Sequence, residues 1–251
     1  MRKFRAMPDR VYLFDVDGTL TEPREKIKVQ IEDVFMSWIA SKNKSVYLVT
    51  GSDIDKTKEQ LGEDVIDACQ GVFTCSGNVF RQNNQIVYSN VFNPSKEFIA
   101  DLELYLDNSQ WREKKGNHIE SRPGMLNFST VGRNASPDMR KAYNRWDKTN
   151  LEREDIVAYI NDVYPDLEVS IGGSISVDIY PKGKNKGQAV EKLRELHGDD
   201  VEMIFVGDKN IPGGNDWPLA QRLESIEGSQ WYQVLCPEET RSLIEYGELF
   251  I

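Results

Sequence analysis

A short apolar run that ends on two aspartates constrains the fold of this chain more than any other feature. Residues 10–15, RVYLFD, are typical of a buried strand, and the chain leaves that strand through DVDGT at 15–19. In doubly wound α/β folds, ligands bind at the carboxyl ends of the parallel strands. Two clustered carboxylates there indicate a hard cation, and their oxygen ligands suit Mg²⁺. The alternative is a helix-capping Asx turn, which needs only one aspartate.

Apolar runs alternate with helical patterns along the first third of the chain. A helix at about 27–41 precedes a second strand at 46–50, and another helix follows at about 53–61. The same order returns late in the chain, as a helix at about 186–197 and an apolar strand at 203–206. Alternating strands and helices predict a parallel sheet with right-handed crossovers. We therefore expect an α/β fold with a Rossmann-like, doubly wound parallel-sheet core.

The middle of the chain has a different pattern. NVFRQNNQIVYSN predicts two strands around a turn at Asn83-Asn84. Further strands are predicted near 117–121, 125–131, 167–172 and 174–180, with helices near 95–107, 137–146 and 151–163. This pattern is typical of an α+β block with an antiparallel sheet. We expect a catalytic α/β core of residues 1–82 and 183–251, into which an α+β cap of residues 83–182 is inserted.

More polar groups follow the ends of the predicted core strands. Ser52 comes after the second strand, where its hydroxyl and the backbone amides of a helix start could hold a phosphate. A plain helix cap explains Ser52 nearly as well. Asp208 follows the strand at 203–206, and Asp216 closes the next loop. Both aspartates would add acidic oxygens at the same edge of the sheet.

The charge balance narrows the choice of partner. The chain has 31 basic and 41 acidic residues and a net charge of −10, whereas a nucleic-acid binder usually shows a basic excess. An acidic chain can still bind an anionic small molecule through locally placed basic groups. Lys186 begins a predicted helix in KGKNKG and could neutralise a phosphate or a nucleophilic carboxylate. Lys182 and Lys184 compete with it for that role.

Several classes of protein are excluded by composition. Hydrophobic residues make up 39% of the chain and charged residues 29%, which is typical of a globular protein. No stretch approaches the roughly 18 uninterrupted apolar residues of a membrane span. MRKFRAMPDR at the N-terminus lacks the apolar block of a secretory signal, and the three cysteines lack metal-binding spacing. We therefore expect a cytoplasmic protein with reduced thiols.

Four motifs in order across the core resemble those of the haloacid dehalogenase superfamily of phosphotransferases: DVDGT, Gly51-Ser52, Lys186 and GDKNIPGGND. The resemblance implies that Asp15 is a nucleophile that forms an aspartyl phosphate, and that Asp17 is a general acid and base. It also implies that Asp15, the backbone carbonyl of Asp17 and Asp208 bind Mg²⁺. The metal and Lys186 would then offset charge on the transferring phosphoryl group.

Three further segments, from the predicted cap and its approach, sharpen this resemblance. SRPGMLNFSTVGRNASPDMR and GGSISVDIYPKG, together with the arginine of LTEPREKI, resemble the eukaryotic-type phosphomannomutases over nearly the full chain. This family interconverts mannose 6-phosphate and mannose 1-phosphate through a hexose 1,6-bisphosphate, which also serves as activator. The resemblance further implies a Mg²⁺-dependent cytoplasmic enzyme of GDP-mannose biosynthesis that forms a homodimer through the cap.

The matching positions also imply the substrate contacts. Guanidinium forks bind phosphate bidentately, so Arg122, Arg133 and Arg140 are candidates for the distal phosphate, although surface ion pairing is the alternative. Ser176 and Asp178 alternate along a strand and would face phosphate or sugar hydroxyls together. The full set of implied substrate-binding residues is Arg24, Ser52, Arg122, Asn127, Arg133, Arg140, Ser176 and Asp178.

Two alternative functions remain open on the sequence. KGKNKG is closer to the pattern of cap-bearing sugar phosphatases than to that of the mutases, so a Mg²⁺-dependent sugar-phosphate phosphatase is the runner-up. Both enzymes would form the same aspartyl phosphate and would differ only in whether sugar or water accepts it. The third reading, a non-catalytic sugar-phosphate-binding module, is disfavoured because every core motif residue is present.

Overall fold

The structure, a computed structural model, describes residues 10–41 and 45–247. Residues 1–9, where we expected no secretory signal, lie outside the described part. The three cysteines form no disulfide, which agrees with the expectation of reduced thiols. Among the described residues, no helix combines the length and the apolar character that crossing a membrane requires.

Two β-sheets organise the described chain, one of seven strands and one of four. In chain order the elements are β1 (Arg10–Phe14), α1 (Val29–Ser41), β2 (Ser45–Val49), α2 (Ile54–Ala68), β3 (Gly71–Thr74), β4 (Val79–Gln82), β5 (Gln85–Ser89), α3 (Lys96–Asn108), β6 (Ile119–Arg122), β7 (Met125–Phe128), α4 (Pro137–Asn150), α5 (Glu152–Val163), β8 (Leu167–Gly172), β9 (Ser176–Pro181), α6 (Gln188–His197), β10 (Glu202–Gly207), α7 (Trp217–Leu223), β11 (Gln230–Gln233) and α8 (Pro237–Glu245).

The larger sheet has the strand order β11-β10-β1-β2-β3-β4-β5. Its first five strands in that order run parallel, and β4 and β5 pair antiparallel. The expected α/β class with a parallel-sheet core is therefore confirmed. Because β1 lies between β10 and β2, the chain turns opposite ways from β1 to reach its neighbours, and this is where α/β sheets bind ligands.

Helices cover both faces of the larger sheet, which explains the continuous apolar runs in its central strands. Tyr12 and Phe14 pack on one face against Phe35 and Trp38 of α1. The Phe14 and Phe35 rings meet edge to face, with centroids 5.1 Å apart. On the opposite face, the alternating side chains of β1 pack against α6 and α7. Packing from both sides holds β1 rigidly, and with it the residues that follow it.

The smaller sheet is antiparallel, in the order β6-β7-β9-β8. Its apolar face packs against α3 and α5, where Phe98 and Ile160 are buried with Phe128. Its opposite face carries polar side chains, among them Asn127 and Asp178. The sheet therefore has one face for packing and one for binding.

The hairpin of β4 and β5 belongs to the larger sheet, whereas the sequence placed residues after 82 in the cap. Asn83 and Asn84 both adopt left-handed backbone conformations, with φ of 50° and 60°, as a tight two-residue hairpin requires. The tight turn returns β5 directly onto β4, which carries the core sheet past residue 82 to Ser89. The division of the chain into a core domain and a cap domain stays a prediction.

Candidate active site

Three carboxylates and a lysine converge at the carboxyl edge of the larger sheet, and we call this group the acid cluster. Lys186 Nζ donates hydrogen bonds of 2.5 Å to Asp15 Oδ1 and to Asp216 Oδ1. Carboxylate oxygens of Asp15, Asp208 and Asp216 lie within 4.8 Å of one another. Lys209 reaches Asp208 at 3.3 Å from the partly exposed side. Two of the three acids therefore share the buried Lys186, and the third, Asp208, pairs with the partly exposed Lys209.

Glycines allow the acid cluster to be this compact. Gly18 has φ of +85°, and a Cβ there would lie 2.6 Å from Asp208 Oδ2. A Cβ on Gly207 would lie 2.8 Å from Asp216 Oδ2 and 2.6 Å from Asn210 Oδ1. Any side chain at either position would push the oxygens apart. The glycines of DVDGT and GDKN therefore let the acidic loops approach each other.

Burial and mutual repulsion disfavour the ionised carboxylates of the acid cluster, which lacks enough positive charge to offset them. Burial raises the pKa of Asp15 well above its usual range, and the charge of Asp216 adds to this while Lys186 opposes it. Burial and Asp216 raise the pKa of Asp208 to about 6. The buried oxygen Oδ1 of Asn210 accepts no hydrogen bond from the described residues. An all-oxygen donor set with unmet negative charge fits a divalent cation such as Mg²⁺.

Sequence reasoning missed two parts of this cluster. Asn210 was not singled out, although it lies in the same GDKN loop as Asp208. Asp216 was expected at this sheet edge but was given no role, whereas its carboxylate is fully buried against Lys186. The sequence carries no signal for the path of this loop, which brings the Asp216 carboxylate back to Lys186.

The Asp17 carboxylate is not part of the acid cluster. Its carboxylate accepts hydrogen bonds from the Arg24 backbone N at 2.8 Å, Gln60 Nε2 at 2.8 Å and Ser52 Oγ at 3.3 Å. Gln60, on α2, carries no sequence signal, since a helical glutamine usually faces solvent. The contribution of the Asp17 backbone carbonyl to a metal site stays a prediction. The hydrogen bonds of the Asp17 carboxylate therefore differ from those of the three carboxylates in the acid cluster.

Burial distinguishes the three lysines that the sequence offered for neutralising a phosphate or a carboxylate. Lys182 and Lys184 are exposed, and Lys186 is fully buried among the acids. Burial alone would lower the pKa of Lys186, but Asp15 and Asp216 raise it overall. Lys186 therefore stays charged at neutral pH.

A cleft of about 400 Å³ lies between the two sheets, and we call it the arginine cleft. Its lining residues are Arg24, Ser52, Asp53, Lys56, Asn117, Glu120, Arg122, Arg133 and Asn134. Arg122 binds the Glu120 carboxylate through Nε and Nη2, both at 3.1 Å, and Arg133 Nε binds it at 2.7 Å. Arg122 Nη1 also donates to the Gly51 carbonyl at 2.9 Å, which joins the smaller sheet to the larger one.

The arginines of this cleft repel one another. Burial lowers the pKa of Arg133 to about 10, and the charges of Arg24 and Arg122 add to the effect. Burial also lowers the pKa of Arg24. For Arg122, the effect of burial is outweighed by the hydrogen bonds to Glu120 and the charge of Asp178, so its pKa is raised. An excess of clustered guanidinium groups over acids fits an anion, and phosphate suits their fork geometry.

Arg140 is not among the residues that line the arginine cleft, and its predicted role as a phosphate contact stays a prediction. Its Nε donates to the Ala135 carbonyl at 2.9 Å and its Nη2 to the Arg133 carbonyl at 2.5 Å. Two backbone acceptors therefore hold the guanidinium behind the loop that carries Arg133. Burial and the charges of Arg24 and Arg133 lower the pKa of Arg140 to about 10, so it lies near these two arginines.

The remaining predicted contacts meet on the polar face of the smaller sheet. Asn127 Nδ2 donates to Asp178 Oδ1 at 2.7 Å and to Ser176 Oγ at 3.1 Å. Burial raises the pKa of Asp178, and the charge of Arg122 opposes that rise. A Cβ on Gly51 would lie 3.3 Å from Asp178 Oδ2, so this face meets the loop after β2. Cap and core residues thus form one continuous polar surface.

A family model described as eukaryotic phosphomannomutase matches residues 33–249. The chain belongs to this family. Phosphomannomutase from Dendrobium officinale is 34% identical over 249 residues, covering 93% of this chain and 92% of its own. Phosphomannomutase 1 from Dictyostelium discoideum is 32% identical over 260 residues, covering 97% and 98%. The resemblance to the phosphomannomutases read from the sequence is confirmed.

Solved structures agree with the fold of this phosphomannomutase-family chain. The C-terminal domain of C. albicans trehalose-6-phosphate phosphatase has a TM-score of 0.66 at 18% identity, covering 96% of this chain and 92% of its own. IMP-nucleotidase of Plasmodium falciparum has a TM-score of 0.58 at 14% identity, covering 95% and 68%. The match to the family model begins after Asp15 and Asp17, so the roles of these two residues rest on the motif and the geometry.

Proposed function

We propose that this protein interconverts mannose 6-phosphate and mannose 1-phosphate through an aspartyl phosphate and a hexose 1,6-bisphosphate. The observation that carries the proposal is the pairing of two sites. Asp15, buried against Lys186, is a nucleophile for one phosphate, and the arginine cleft can hold another. Ser52 lines the arginine cleft and donates a hydrogen bond to Asp17, which is two residues from Asp15. This arrangement fits a hexose that carries a phosphate at each end.

The chemical steps use side chains of the core. A carboxylate oxygen of Asp15 attacks phosphorus, a P–O bond to Asp15 forms, and the P–O bond to the sugar oxygen breaks. Asp17 donates a proton to that leaving oxygen and removes it again when the sugar attacks the aspartyl phosphate. Lys186 offsets the negative charge that builds up beside Asp15 in either direction.

A divalent cation fits the acid cluster. Asp15, Asp208 and the backbone carbonyl of Asp17 would hold Mg²⁺, and the orphaned Asn210 oxygen supports an oxygen-lined site. When bound, the ion would supply positive charge to the phosphoryl group. The same charge relieves the repulsion between the buried acids.

The arginine cleft holds the phosphate that does not react. Arg24, Arg122 and Arg133 would bind it, while Asn127, Ser176 and Asp178 would meet the sugar hydroxyls. After one transfer the bisphosphate turns end for end, so that Asp15 takes back the other phosphate. A trace of hexose 1,6-bisphosphate is needed as activator because it phosphorylates Asp15 for the first cycle.

Two further proposals concern the setting of the protein. We propose a homodimer formed through the cap, in the cytoplasm, as the family resemblance implies. Light scattering coupled to size exclusion reads the dimer directly, and a mass near the 28.8 kDa of one chain would contradict it.

Phosphorus NMR tests the reaction. The protein is incubated with mannose 1-phosphate, Mg²⁺ and a trace of glucose 1,6-bisphosphate. Growth of a hexose 6-phosphate signal that depends on the bisphosphate supports the mutase. Growth of inorganic phosphate alone would make the protein a sugar-phosphate phosphatase, in which water accepts the phosphoryl group. If neither signal grows, both the mutase and the phosphatase are overturned for this substrate.

A further inference from the structure

Among the described residues, Glu120 is the acidic side chain that bonds to guanidinium groups of the arginine cleft. It accepts three hydrogen bonds, two from Arg122 and one from Arg133. These are the fork donors that a phosphate in the cleft would need. Arg122 Nη1 also donates to the Gly51 carbonyl, so each of the three guanidinium nitrogens of Arg122 makes a hydrogen bond within the protein. A phosphate that binds the Nε–Nη2 fork of Arg122 or the Nε of Arg133 therefore competes with Glu120 for these donors.

The charges around the cleft show what Glu120 changes. Four basic and two acidic side chains line it, which leaves a net charge of +2 when all are ionised. A bound phosphate monoester carries about −2 at neutral pH, so the cleft with Glu120 matches one phosphate. Without Glu120 the net charge would be +3. The Glu120 side chain is 28% exposed, which leaves it room to turn toward solvent.

We infer that Glu120 is an internal competitor for the phosphate site, which occupies Arg122 and Arg133 when the cleft is empty and is displaced when phosphate binds. This inference rests on the proposed function, in which the phosphate end of the intermediate must leave the cleft in every cycle. Buried guanidinium groups are costly when they lose their partner. Glu120 returns to them as the phosphate leaves, so release exchanges one anion for another.

Two opposite effects follow for a variant that lacks the carboxylate charge. Glu120→Gln should bind inorganic phosphate about 10-fold more tightly, because the competing charged hydrogen bonds are weakened. In turnover, the KM for mannose 1-phosphate should fall, and kcat should fall several-fold because the intermediate leaves the cleft more slowly. A merely structural role for Glu120, as a prop for the arginines, predicts weaker phosphate binding and a higher KM.

Calorimetric titration with inorganic phosphate tests the inference without substrate. EDTA keeps divalent cations out, so that the acid cluster repels phosphate and the arginine cleft is read. Asp53→Asn is the matched control, since Asp53 also lines the cleft but bonds to the Lys56 backbone N rather than to an arginine. Its expected gain, from charge alone, is about 2-fold or less. The double variant Glu120→Gln with Arg133→Ala should lose the gain.

Each outcome decides the matter. Tighter phosphate binding in Glu120→Gln than in Asp53→Asn supports the competitor, and equal or weaker binding overturns it. A gain that survives removal of Arg133 overturns it too, because the phosphate would then bind elsewhere. Failure of the wild-type protein in the NMR assay would overturn the proposed function instead, and the phosphate titration would still read the behaviour of Glu120. A thermal melt confirms that each variant is folded.

Discussion

The acid cluster and the arginine cleft have opposite charge balances. In the first, three carboxylates lie together and two of them share one buried lysine, and in the second, three arginines gather around one glutamate. Each site therefore lacks the charge that its proposed ligand brings, a divalent cation in one and a phosphate in the other. They differ in depth, because Lys186 is fully buried whereas Arg133 remains 18% exposed. The deep site should govern chemistry and stability, and the shallow one substrate affinity.

Removing the nucleophile should have the largest effect. We expect Asp15→Asn to lower turnover by about 10⁴-fold or more, since no other group can form the aspartyl phosphate. The fold should survive, because an amide still fills the space beside Lys186. Acid-quenched protein exposed to hexose bisphosphate reads the phosphoenzyme directly. Turnover within 10-fold of the wild type would show that Asp15 is not the nucleophile.

Removing the buried lysine should separate stability from surface charge. Lys186→Ala leaves Asp15 and Asp216 buried and uncompensated, which should lower the free energy of unfolding by about 3–5 kcal/mol. Lys184→Ala, two residues away and exposed, should change it by less than about 0.5 kcal/mol. Urea unfolding without divalent cations measures both. Equal losses would mean that the hydrogen bonds of Lys186 contribute nothing to stability.

Weakening the arginine cleft should affect affinity more than chemistry. Arg133→Ala should raise the KM for mannose 1-phosphate about 10- to 100-fold through the loss of charged hydrogen bonds. The KM for p-nitrophenyl phosphate, which has no distal phosphate, should hardly change. Arg145→Ala, on the exposed face of α4, is the control. An equal effect on both substrates would remove Arg133 from the distal phosphate site.

The smallest effect should appear in the acid cluster without metal. The native pKa of Asp208 lies at about 6, above its unfolded value of 3.8. The native state therefore binds the extra proton, and this carboxyl costs stability as the pH rises from about 4 to 6. Above that window, Asp208→Asn should be more stable than the wild type in EDTA, by several degrees in Tm. Magnesium should raise the Tm of the wild type and have little effect on the variant.

The sequence could predict the sheet edge because strand ends and motif residues coincide. DVDGT, Gly51-Ser52 and GDKN each follow a continuous apolar run, and parallel strands bring such ends together. What it could not predict is which acids touch. The position of Asp216 against Lys186, and of Arg140 behind Arg133, depends on loop paths that carry no periodic signal.

Short elements and elements at the edge of the sheet were also not predicted from the sequence. Strand β3 has only four residues, and β11 lies at the sheet edge with partly exposed side chains, so neither shows a strand pattern. Helix α2 was predicted to end near residue 61, but it resumes after Gly62, whose φ of 79° is non-helical. The helices α7 and α8 were missed, although each begins with a proline in its first turn, a recognised start signal.

The hydrogen bond from Arg122 to the Gly51 carbonyl bears on the length of the substrate that the protein can accept. It ties the arginine cleft, the proposed site of one phosphate, to the loop after β2 in the sheet that presents Asp15. In the proposed reaction, the protein would then accept a molecule whose two anionic ends match the separation between the acid cluster and the arginine cleft. In that reaction, selection among hexoses of equal length would fall to the polar face around Asp178.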